Sequence, residues 1–155
     1  MDSIGQIFLV YSDKVEDYRI GKGRFSFTKN DDSFIVNFWI RAEYEIMMPD
    51  GQKDIVWGPT LEILTTHNSL LEIGETSKLH ILDKEKAGKE WDINYRTGFY
   101  HQSHQMIKDC DIHIKKLNDQ QIDVEFKGEP SDDFEHFTFK GKCILPISDK
   151  IERYW

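Results

Sequence analysis

The chain has 155 residues, 39% hydrophobic and 13% aromatic, which is enough to enclose one core without disulfides or metals and argues against a disordered chain. Its 20 basic and 28 acidic side chains give a formal net charge of −8. A field of that sign repels phosphate backbones and attracts basic surfaces, so direct nucleic-acid binding is not expected. The excess is uneven: residues 1–77 hold 7 basic and 13 acidic side chains (net −6), and residues 78–155 hold 13 and 15 (net −2).

At the N-terminus no basic residue precedes the short apolar run of residues 7–10, which lacks the charge and length of a secretory signal. Nowhere does an apolar run approach the roughly 20 residues of a membrane-spanning helix. The expected setting is therefore the cytoplasm, away from membranes. Residues 6–11 read as a first strand, and residues 13–19 as a turn or two of helix. The glycines of Gly21-Lys22-Gly23 belong to no dinucleotide or Walker pattern and read as a loop before a strand at 24–28, so no phosphate cofactor is implied.

Asp31 and Asp32 fall in a polar turn. After them, Phe34, Val36, Phe38, Ile40, Ala42, Tyr44, Ile46 and Met48 are apolar at strict period two, the mark of a long strand with one buried face. Its opposite face runs from Ile35, Asn37 and Trp39 to Arg41, Glu43 and Glu45, so the strand is expected to pass from a covered region into water. Trp39 has two readings: a core residue, or an exposed aromatic that stacks on a sugar or anchors a protein contact. Met48-Pro49-Asp50-Gly51-Gln52 is a hairpin turn, with a returning strand at 54–57 stopped by Gly58 and Pro59 and a further strand at 61–66.

Weaker strand patterns fit residues 79–82 and 91–95, and residues 83–89 fit a short helix. Residues 98–108 are ambiguous between a polar helix and an irregular strand. Within them, His101 and His104 are the weak catalytic candidates: on a helix they would share a face, while on a strand they would point apart. Two histidines without a carboxylate or cysteine in register are a poor metal site, and none is expected. A second hairpin is plain in Cys110, Ile112 and Ile114, the turn Asn118-Asp119, and Ile122, Val124 and Phe126. The alternation continues through Phe137, Phe139, Gly141, Cys143 and Leu145. Cys110 and Cys143 both fall on apolar faces and are expected as buried free thiols.

These elements predict one mainly β domain over residues 1–155, an antiparallel β-sandwich or open barrel of about ten strands with little helix. There is no nucleophile elbow, zincin pair or calcium loop. The expectation is a non-enzymatic acidic binding domain with a basic protein partner, concretely an immunity protein or inhibitor of a basic toxin or nuclease. Asp31, Asp32, Trp39, Glu43 and Glu45 are its candidate contact residues. Two alternatives are a carbohydrate or small-ligand sandwich using Trp39 and Trp57, and a histidine-dependent hydrolase.

Overall fold

The structure is a computed structural model and describes residues 4–30, 33–67, 77–80, 98–101, 103–105, 107–130 and 136–148. The described residues are all-β, with no helix. Ten strand segments, β1 (Gly5–Tyr11), β2 (Val15–Asn30), β3 (Ser33–Met47), β4 (Lys53–His67), β5 (Ser77–His80), β6 (Gly98–His101), β7 (Ser103–Gln105), β8 (Ile107–Lys116), β9 (Gln121–Pro130) and β10 (Phe137–Ser148), lie in one sheet. Their order is β5-β8-β9-β10-β1-β2-β3-β4-β6-β7, antiparallel throughout except where the end of β10 passes β1 and pairs in parallel with β2.

The sheet curls until its distant strands meet. Phe38 on β3 packs on Phe126 of β9, ring centroids 5.6 Å apart, and Phe99 on β6 stacks on Phe139 of β10 at 4.8 Å. These partners are not neighbours in the strand order, so one face of the sheet has closed on itself as a barrel-like core. That core includes Ile7, Leu9, Ile20, Phe25, Phe38, Ile40, Leu61, Phe99, Ile112 and Phe139, all fully buried. Cys110 and Cys143 are buried free thiols within it.

So many rings fit because glycines stand opposite them. Gly141 pairs with Phe126, and Gly128 pairs with Phe139. A Cβ on Gly141 would lie 2.6 Å from Phe126 Cζ, and one on Gly128 2.7 Å from Phe139 Cζ. Each glycine leaves the space into which the opposing ring lies.

Several expectations are corrected. Residues 15–19 are the start of β2, not helix: β2 is long and needs only a bulge at Gly21 to keep its apolar face inward, where the register shifts between Ile20 and Lys22. Gly58 and Pro59 do not end a strand. Together they oppose the single residue Ala42 at a second bulge, where Arg41 faces Thr60 but Glu43 faces Trp57, so β4 runs unbroken from Lys53 to His67. Pro59 is tolerated because a bulge needs no ladder hydrogen bond from it. The buried face of β3 ends at Ala42, since Tyr44, Ile46 and Met48 are 37–40% exposed. Residues 98–105 are strand wherever described, and the expected elements at 83–89 and 91–95 lie outside the described residues.

Candidate functional site

Beyond the second bulge, β3 and β4 continue as a hairpin closed at residues 48–52. Gly51 takes φ +83°, Met48 and Gln52 are joined by a 2.8 Å backbone bond, and the Asp50 carboxylate accepts from the Gln52 amide at 2.9 Å. The left-handed φ explains the glycine. On the outer face of this hairpin Glu43 stands opposite Trp57, Glu45 opposite Ile55 and Met47 opposite Lys53. Trp57 is 66% exposed, Met47 65% and Ile55 50%.

At the base of the hairpin the outer face is buried and polar. Asn37, Trp39, Arg41, Glu43, Thr60 and Glu62 are all less than a tenth exposed. The Arg41 guanidinium bonds Glu43 at 2.8 Å, lies 4.0 Å from the Trp57 ring and 5.6 Å from that of Trp39. Pairing and the two indole faces are what compensate a charge removed from water. One face of Trp57 is thus held by Arg41 while much of the side chain stays open to solvent.

The candidate contact residues separate accordingly. Trp39 is core on this outer face and cannot act as an exposed platform. Glu43 is buried in its pair with Arg41. Glu45 is on the solvent side, 3.8 Å from Lys53, so the passage from covered to open surface falls between Glu43 and Glu45, later along the strand than the first charged residue. Asp31 and Asp32 lie outside the described residues. Of the two tryptophans on this face, Trp57 is the one that reaches solvent.

A second group sits at one end of the barrel. His101 Nε2 lies 4.0 Å from Glu16 Oε1, its ring meets Tyr18 edge-on at 5.8 Å, and the Tyr18 hydroxyl donates to Glu16 at 3.3 Å. Partial burial and the Glu16 carboxylate beside it push the Tyr18 phenol up to about 12. His104 pairs with Tyr100 across the β6–β7 hairpin, so the helical arrangement that would bring it beside His101 does not occur. Glu16 and Tyr18 carried no signal in sequence because their segment reads as a helical turn. Among the described residues no three His, Cys, Asp or Glu side chains are placed to hold a metal ion, and no helix is long and apolar enough to cross a membrane.

Comparison with protein-family models, curated proteins and solved structures finds no match to this chain.

Proposed function

We propose that the protein is a non-enzymatic binding domain that engages a basic protein through the outer face of the β3–β4 hairpin. The observation that carries this is the cluster of exposed apolar side chains on that face, Met47, Ile55 and Trp57, with Tyr44 and Ile46 also exposed on the opposite face of the same hairpin. Scattered exposed apolar residues need no explanation, whereas a contiguous group marks an interaction surface. Trp57 is the anchor, a large amphipathic ring already held on one face by Arg41, which lowers the entropy lost on docking. Glu45, Asp50 and Asp54 against Lys53 give the rim its acidic bias and supply the charge preference. An inhibitor or immunity protein for a basic toxin or nuclease is the concrete form of this reading, because a cationic cleft is the natural complement of an acidic rim around an aromatic anchor.

The test is capture of partners from native lysate, followed by association and dissociation rates for wild type, Trp57→Ala and Asp54→Lys at low and high salt. Trp57→Ala is expected to weaken binding by about thirtyfold or more, the size of a hot-spot residue. Asp54→Lys is expected to slow association mainly at low salt. Unchanged binding by Trp57→Ala with a salt-independent rate refutes the proposal.

One observation favours a second reading. His101, oriented by Glu16 and Tyr18 at the barrel end, has the acid–imidazole arrangement of a general base. If it acts so, His101→Gln abolishes turnover of chromogenic carboxylic or phosphoric esters by the purified protein. Absence of turnover by wild type removes this reading.

A further inference from the structure

On the outer face opposite the core aromatics, β1, β10, β9 and β8 surround a depression of about 370 Å³, lined by Phe8, His113, Glu125, Lys127, Lys140 and Lys142 among others. Register places these side chains in two rows across the sheet. One runs Asp111, Lys127, Lys140, Phe8, Asp17, and the next runs His113, Glu125, Lys142, Gln6, Arg19, with Gln6 donating to Asp17 at 2.6 Å. Lys127 and Lys140 are therefore directly opposed across neighbouring strands, an arrangement that like charges disfavour. None of the three lysines forms an ion pair with a described carboxylate.

In a chain of net charge −8, three lysines around one half-buried aromatic ring are a local concentration of positive charge, even though Asp111 faces Lys127 and Glu125 faces Lys142 across the strands. The lining holds one carboxylate, Glu125, against those three cations. On the far side of the Lys127–Lys140 pair a second depression, of about 280 Å³, is bordered by Asp109, Asp111 and Glu129. Lys127 and Lys140 border that depression too, where three carboxylates face them, so the excess of cations over carboxylates is on the Phe8 side.

We propose that this depression binds a small phosphate monoester carrying a planar ring. A phosphate monoester brings roughly −1.5 to −2 charges, matching the net cation excess, and its oxygens accept from several ammonium groups at once. Phe8 supplies the surface for the ring. The volume falls within the range of small-molecule sites. Binding the anion also relieves the repulsion between Lys127 and Lys140, which gives the like-charge pair a physical reason.

The site is tested by following backbone amide shifts of isotopically labelled protein during titration with inorganic phosphate, phenyl phosphate and benzyl alcohol. Saturable shifts centred on Phe8, Lys127, Lys140 and Lys142 are expected, with phenyl phosphate at least tenfold tighter than inorganic phosphate and benzyl alcohol without effect. The exposed double reversal Lys140→Glu/Lys142→Glu is expected to abolish both phosphate interactions while leaving the fold intact. Phe8→Leu, which keeps an apolar side chain for folding, is expected to bring phenyl phosphate down to the level of inorganic phosphate. Shifts that do not saturate, that spread over the surface, or that survive the double reversal overturn the proposal. Equal affinity for the two phosphates in wild type overturns it too.

Discussion

Glu43 and Glu45 sit two residues apart on the same face of the same strand, yet neutralising them should have very different consequences. The Arg41 and Glu43 side chains are 10% and 8% exposed and bonded at 2.8 Å. Removing one member of a buried pair leaves the other charge uncompensated, at a cost of about 3–5 kcal/mol. Here the indole faces of Trp57 and Trp39 remain beside the guanidinium and retain about 1–2 kcal/mol of its compensation. The expected loss for Glu43→Gln is then about 2–3 kcal/mol, a fall of roughly 5–10 °C in melting temperature for a chain of this length. Glu45 lies 3.8 Å from Lys53 with side chains 38% and 69% exposed. Glu45→Gln should cost less than about 0.5 kcal/mol.

Urea unfolding followed by tryptophan fluorescence measures both, and a cycle with Arg41→Met isolates the pair. The two mutations differing by less than about 0.5 kcal/mol would show that the Arg41–Glu43 pair does not behave as a buried one. The contrast also governs how partner contacts are probed. Glu43→Lys sets a second cation against Arg41 and destabilises the domain, so charge reversal belongs at Glu45, Asp50 and Asp54.

Gly141→Ala drives a Cβ into the Gln6 carbonyl oxygen and should cost about 2–3 kcal/mol by thermal unfolding, as overpacking does; wild-type stability would show that β10 shifts freely. The raised phenol of Tyr18 stabilises the fold fully below its unfolded value near pH 10, and that contribution is lost as pH rises to about 12. Tyr18→Phe should therefore flatten the decline in stability between about pH 10 and 12, and an unchanged profile contradicts the assignment. Burial, with nearby aspartates adding to it, pushes the Cys110 and Cys143 thiols up, so both should resist a thiol reagent at neutral pH until the chain unfolds. Reducing agent should leave the melting temperature unchanged, because neither cysteine is bridged.

Where a residue's environment follows from its strand parity, the fold was legible. Alternation placed Val36, Phe38, Ile40 and Ala42 inside, and the same rule placed Ile112, Ile114, Ile122, Val124 and Phe126. Parity fails at a bulge, and two of them were misread, Gly21 as part of a loop and Gly58-Pro59 as a terminator. Nothing local distinguishes an extra residue inside a strand from the end of one, because that depends on where the partner strand continues. Burial of the opposite face was equally beyond reach. Trp39 and Glu43 could be core or surface on pattern alone, and only the tertiary arrangement decides. The lysines at 127, 140 and 142 did carry a readable signal, since they occupy outward parities of two strands that pair, but their convergence on Phe8 requires the register of β10 with both β1 and β9.

The same packing that closes the barrel also directs where function can lie. With Phe38, Phe99, Phe126 and Phe139 in contact across the interior and glycines opposing two of those rings, this part of the barrel is occupied by its own side chains. Enlarging an interior site here would mean removing a ring, and deleting a buried phenylalanine costs about 3–5 kcal/mol. That is a large share of the 5–15 kcal/mol by which domains are stable. Outward positions carry no such penalty. On β3 and β4 they hold the Trp57 surface, and on β8 to β10 and β1 they hold the lysine depression. A strand that must alternate therefore does two separate jobs: its inward residues fix the register, and the register fixes which outward residues become neighbours. Phe38→Leu should weaken stability while leaving the phosphate titration of the folded protein nearly unchanged, whereas Lys140→Glu/Lys142→Glu should do the reverse. Loss of ligand response in the folded Phe38→Leu protein would show that the depression depends on the core beneath it rather than on its own side chains.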